Sequence, residues 1–231
     1  MKRTTAGAHL SDGLVAFLQA LETNNDKAWF DAHRDQYRAV YVDPALDLIA
    51  AMAPPLARLK PPLTAEPKVN GSLRRINRDV RFSKDKRPYS PMLHLIFHTG
   101  ARANHGPGVH VVVAPDHFGI GGGHWAFEPA ELEAYRKAVT TKAGADGLVK
   151  ALAAAKAVDC VPDEPQLARV PRGYDAAEPV ATMLRRKGMV VRSHDLPIPD
   201  ALFAPGAVDY LLDRIKGLMP LIGWLDKHVY G

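Results

Sequence analysis

Between residues 72 and 91 the chain gathers Arg74, Arg75, Arg78, Arg81, Lys84, Lys86 and Arg87 against two acids, Asp79 and Asp85. That window accounts for the whole formal charge of +5, so bases and acids balance elsewhere. A concentrated patch of this kind reads as a site for an anion, whereas a diffuse excess would read as solubility. Arginine suits the task, because its planar fork makes paired contacts with phosphate or carboxylate. Arg78 and Arg81, with Arg74, Lys84 or Lys86, are the candidate ligand-binding side chains. Asp79 is a candidate general base, or a carboxylate that orients the arginines. If residues 73–82 are extended, Ile76, Arg78, Val80 and Phe82 share one face. An inward Arg78 then needs a carboxylate, carbonyls or a bound anion, since a broken buried pair costs ~3–5 kcal/mol. A salt-bridge hub explains the same residues without a ligand. Lys84, Lys86 and Arg87 also fit a solvated turn.

Histidine could supply proton transfer beside such a site, and His110 and His124 are the candidates. There are 10 histidines, but no H-E-x-x-H and no cysteine pair accompany them, so no metal site is expected. Asp116-His117 and His194-Asp195 are sequence neighbours, which in a strand point to opposite faces. Gly119, Gly121, Gly122 and Gly123 could let a ligand approach the backbone, although a bulge or tight strand crossing accounts for them more simply. They lack the dinucleotide spacing, and neither a phosphate loop nor a serine elbow occurs. No cofactor is implied. Cys160 has no catalytic pattern around it and is read as inert.

These side chains must be positioned by elements whose periods are legible. Leu14, Phe17, Leu18 and Leu21 follow helical spacing after Ser11-Asp12. Asn24-Asn25-Asp26 caps a second helix carrying Trp29, Phe30 and Tyr37, and Pro44 opens a third that Pro54-Pro55 ends or kinks. Strands are predicted over 73–77, 92–97, 109–114 and 117–121, the last two as a hairpin about Pro115-Asp116. Helices follow over 129–140 and 147–157. Short strands are expected at 166–170 and 189–192, around a turn or helix at 179–184. Val208, Leu211, Leu212, Ile215, Leu218, Met219 and Ile222 then form an apolar helical stripe. The order predicts an α+β fold, with a mainly antiparallel or mixed central sheet flanked by N-terminal and C-terminal helices.

A chain of 231 residues with 47% apolar and 24% charged side chains is globular in composition. It is read as a single domain, 1–231, without a dividing linker. No apolar run approaches the ~18 residues of a membrane span. The start, Met1-Lys2-Arg3-Thr4-Thr5, is basic but leads to no cleavage site, so no signal peptide is expected. A single cysteine makes the cytoplasm the default compartment.

Two stretches together are similar to one family. Asn25-Asp26-Lys27-Ala28-Trp29-Phe30, followed by Tyr37, resembles the amino-terminal signature of domain of unknown function 2461. The run Arg78-Asp79-Val80-Arg81-Phe82-Ser83-Lys84-Asp85-Lys86-Arg87-Pro88-Tyr89 resembles its most distinctive motif, and Gly121-Gly122-Gly123-His124-Trp125 also fits. The resemblance covers about 14–225. It departs at Ala28, where the family pattern usually carries a glutamate. It implies a widespread domain and supplies no activity, cofactor or catalytic residue.

Three functions follow from the residues. A small phosphate- or carboxylate-bearing ligand could be bound, or acted on, through the arginine motif. A nucleic acid could lie along the same segment, with Phe82 and Tyr89 as the aromatics available for stacking. Finally, the motif could be a structural or protein-interaction element with no ligand. No membrane partner is expected.

Overall fold

The computed structural model describes residues 7–100 and 105–231, so the basic Met1–Thr5 start lies outside the described residues. Helix α1 (Leu14–Thr23) buries Leu14, Phe17, Leu18 and Leu21, the set its spacing places on one face. Asp26 caps α2 (Lys27–Ala32) by accepting from the Trp29 N–H at 2.9 Å. Helix α3 (Arg34–Tyr37) continues through a π-helical turn (Arg38–Val42) into α4 (Asp43–Leu56). Pro44 lies in its first turn, and Pro54 and Pro55 in its last, where each lacks an N–H to donate to the ladder. The stretch Arg34–Leu56 is long and apolar enough to cross a membrane by length and composition alone. Ala45, Leu48, Ile49, Met52 and Leu56 bury one face of it in the core.

Five strands form an antiparallel sheet in the order β1-β2-β3-β5-β4. They are β1 (Leu93–His98), β2 (Gly108–Val113), β3 (Phe118–His124), β4 (Val161–Pro162) and β5 (Met189–Arg192). Side-chain alternation divides the faces. Leu95, Val111 and Ile120 form one cross-strand row on the core face. On the opposite face Ile96, His110, Gly121 and Arg192 line up across four strands. Helix α8 (Ala207–Leu225) covers the core face with the predicted apolar stripe, and α6 (Lys142–Lys156) packs against it. Beneath α8, a Cβ on Gly122 would lie 3.5 Å from both Leu218 and Ile222, so β3 presses close to the helix there. Helices α5 (Pro129–Val139) and α7 (Val180–Leu184) complete the helical side.

Three expectations are corrected. Residues 73–77 form no strand; they run as a strap along β1, where Ile96 N–H donates to Ser72 O and Arg74 N–H to His94 O at 2.8 and 3.0 Å. The strap caps that sheet edge. Residues 166–170 form no strand either, the short edge strand being β4. Finally, Phe82 is not inward but 95% exposed, because the chain folds back at Asn77, which bridges to Tyr89. Only Ile76 keeps the expected burial, at 2% exposed.

Leu218→Ala should cost about 2–5 kcal/mol in urea unfolding, as expected for a fully buried leucine at the helix–sheet junction. A loss below about 1 kcal/mol would mean that α8 is not the principal cover of this face.

Candidate functional site

On the face turned away from α8, strand β3 presents Gly119, Gly121 and Gly123 in succession. Two of these glycines are demanded by strand pairing. Gly123 has φ +129°, and a Cβ there would fall 2.0 Å from Met189 O. One on Gly121 would sit 2.7 Å from Val191 O. At Gly119 the nearest atom a Cβ would meet is Val112 Cβ at 3.8 Å, so a side chain has room. Packing therefore explains two of the three bare positions and leaves Gly119 unexplained. Together they floor a cleft of about 460 Å³, walled by His94, His110, His117, Trp125 and Arg192.

The cleft's polar groups stand on both sides of its glycine floor. His110 and Arg192 stand on either side of Gly121, two strand spacings or about 10 Å apart at the backbone. His94 Nε2 and His110 Nδ1 are 2.9 Å apart. Burial, then His110, then Arg74 push the His94 pKa down to about 3. Burial, then Arg74 and Arg192 push His110 down to about 4. His110 keeps an exposed edge, yet the cleft walls displace enough water to disfavour its cation. Both rings are thus neutral at pH 7, so a single N–H joins them and the other nitrogens face outward from the pair. The guanidinium of Arg74 is exposed and pairs with no carboxylate among the described residues. Arg192 forms a close salt bridge with Asp163, and its guanidinium lies 5.0 Å from the Trp125 ring centroid. Its Nε is buried with no hydrogen-bond acceptor.

At the cleft's lip, His117 is bracketed by carboxylates, with Nδ1 2.7 Å from Asp116 and Nε2 3.7 Å from Asp195. The expectation that Asp116 and His117 point apart is corrected: Asp116 lies in the turn before β3, where strand alternation does not apply. Among the described residues, no group of three or more His, Cys, Asp or Glu could hold a metal ion. Cys160 is buried, and burial pushes its thiol up to about 11, which suppresses nucleophilicity.

The predicted basic residues lie mainly in a separate loop, 77–89. Arg78 donates to Asp85 at 2.8 Å and to Arg87 O at 2.9 Å. Arg81 makes a paired contact with Asp79, its Nη2 2.6 Å from Oδ2. That contact, with the Arg81 N–H, holds Asp79 below the ordinary carboxylate range and makes it a poor base. Lys86 donates to Val80 O, while Lys84 is exposed. Of the motif, Arg74 is the member whose charge reaches the cleft histidines. His110 lines the cleft, but His124 turns to the helical side and makes a close contact with the Tyr230 hydroxyl. Sequence reasoning passed over Arg192 and the use of His94. Their signal was alternation alone, with Arg192 in phase with Val190 and His94 in phase with Ile96.

Two outcomes test these assignments. The folded histidine pKa values lie below the unfolded value of 6.5, so the unfolded chain binds more protons between about pH 3 and 6.5. Stability should be complete above pH 6.5 and fall as pH drops through that window, and His110→Gln should flatten the melting-temperature profile there. NMR titration showing either ring with a pKa near 6.5 would refute the assignment. In the loop, Asp85→Asn releases both Arg78 and Arg87. It should leave the melting temperature unchanged while speeding tryptic cleavage after Arg81 or Lys84; an unchanged cleavage rate would show that these pairs do not order the loop.

No curated protein and no solved structure is significantly similar to the chain. The family model described as conserved hypothetical protein (DUF2461) matches residues 13–224, in keeping with the resemblance carried by the Trp-Phe and arginine motifs. The chain belongs to that family.

Proposed function

We propose that the protein binds a small phosphate- or carboxylate-bearing molecule in the glycine-floored cleft, with the anion over Gly121 between His110 and Arg192. The observation that carries this reading is Gly119, a bare position that packing does not require, continuing a floor flanked by His110 and Arg192. Arg74 and Arg192 supply positive field. The His94–His110 pair can offer a neutral N–H to the anion. If the ligand is also turned over, His110 is the group we assign to proton transfer, with His94 as its relay. Arg74 is then the motif's contribution to binding, while Arg78, Arg81 and Lys86 order the adjoining loop. Cytoplasmic location belongs to the same proposal, supported by the single buried thiol.

A second reading rests on Phe82, which is 95% exposed in the basic loop and could stack a base of single-stranded nucleic acid. Tyr89, the other expected aromatic, is 5% exposed and stacks on Phe30, which leaves one platform. That reading demands a steep loss of affinity with salt.

Thermal-shift measurements against phosphate, sugar phosphates, dicarboxylates and a short oligonucleotide separate the readings. A small anion should stabilise the wild type and Arg78→Ala, bind about 5- to 10-fold more weakly to Arg74→Ala, and fail on Gly119→Leu. Undiminished stabilisation of Gly119→Leu would place the anion elsewhere. Stabilisation by the oligonucleotide alone, lost in Phe82→Ala, would favour the loop.

A further inference from the structure

The cleft's floor and walls are unusual in shape as well as charge. From Gly119 to Gly123 the strand advances four residues, about 13 Å, with no side chain above the peptide planes. Such a strip carries no side-chain relief, only the shallow pleat and twist of the backbone. A puckered or branched group resting on it touches at few points, whereas a planar group makes contact over its whole face. The side walls suit the same shape. Trp125 is 67% exposed, and its ring meets the Arg192 guanidinium at 5.0 Å from its centroid. Its backbone packs closely on Gly188, where a Cβ would lie 1.9 Å from Trp125 O. An exposed indole seated this way is a wall with one face already met by a cation. Across the floor stand two imidazoles held neutral, with Val112 and Val190 between the polar groups.

We infer that the ligand carries a flat, conjugated ring as well as its anionic group, with the ring lying on the Gly119–Gly123 strip against Trp125. This rests on the proposed anion site and names the class of molecule that fills it: an aromatic or heteroaromatic carboxylate or phosphate. The anion's place over Gly121 orients the ring along β3, where Gly119 leaves it room on one side and Trp125 closes the other. Apolar walls with a few convergent polar groups are the ordinary composition of such pockets, and about 460 Å³ lies within their usual range.

Planarity can be isolated with paired probes. Benzoate and cyclohexanecarboxylate share a carboxylate but differ in ring shape, as do phenyl phosphate and cyclohexyl phosphate; benzyl alcohol carries the ring without the charge. Affinities are read by ligand-observed NMR for the wild type, Trp125→Leu and Gly119→Leu, with amide spectra verifying that each variant is folded. The flat member of each pair should bind at least about 5-fold tighter, and Trp125→Leu should erase that preference while retaining anion binding. Equal binding of flat and puckered members would overturn the ring and leave the anion site standing. Benzyl alcohol binding as tightly as benzoate would uphold the ring and overturn the anion. Failure of every probe on the wild type would overturn both, and a planar preference retained in Gly119→Leu would overturn the glycine floor.

Discussion

The structure turns on the close approach of α8 to β3. Phe118, Ile120 and Gly122 occupy the side of the strand that α8 covers, so alternation commits Gly119, Gly121 and Gly123 to the other. A one-residue slip would exchange these sets, burying bare backbone beneath the helix and exposing Phe118 and Ile120. Burial of the apolar set sets the register. The register in turn places His110 and Arg192 across Gly121. The cleft is a consequence of how the core is packed on the far side of the same strand.

The concentrated positive charge has two physical fates. In the 77–89 loop, Asp79 and Asp85 neutralise part of it through Arg81, Arg78 and Arg87. These pairs are largely exposed and contribute little to global stability. Their effect is local, since they tie a loop whose apolar tip residue, Phe82, has no core to enter. At the strap the fate differs. Backbone hydrogen bonding between Arg74 and His94 seats the guanidinium beside the two cleft histidines and opposes their protonation. Charge that is dispersed in the loop is focused at the cleft.

Periodicity made the helices, the β2–β3 hairpin and the α8 stripe legible in the sequence, because each must bury one continuous face. The α+β class and the antiparallel central sheet followed from the order of those periods. The strap and β4 were not legible. Residues 73–77 look like a strand locally, yet Ser72, Leu73 and Arg74 pair only intermittently along β1. Arg78 drew attention by its company in the sequence, but its partner Asp85 lies only seven residues away, in the same loop. Arg192 drew none, because its importance comes from pairing with Gly121, 71 residues earlier, and strand pairing leaves no mark on either segment alone. His110 was found by residue type and its site by topology.

The central claim is the location of the anion, and an amide-resolved NMR titration of the wild type with inorganic phosphate tests it most directly. Saturable shifts should concentrate at Gly119, Gly121, Gly123, His110 and Arg192, with the 77–89 loop moving little. Saturable shifts confined to Arg78, Arg81, Lys84 and Lys86 would contradict the account and return the site to the loop.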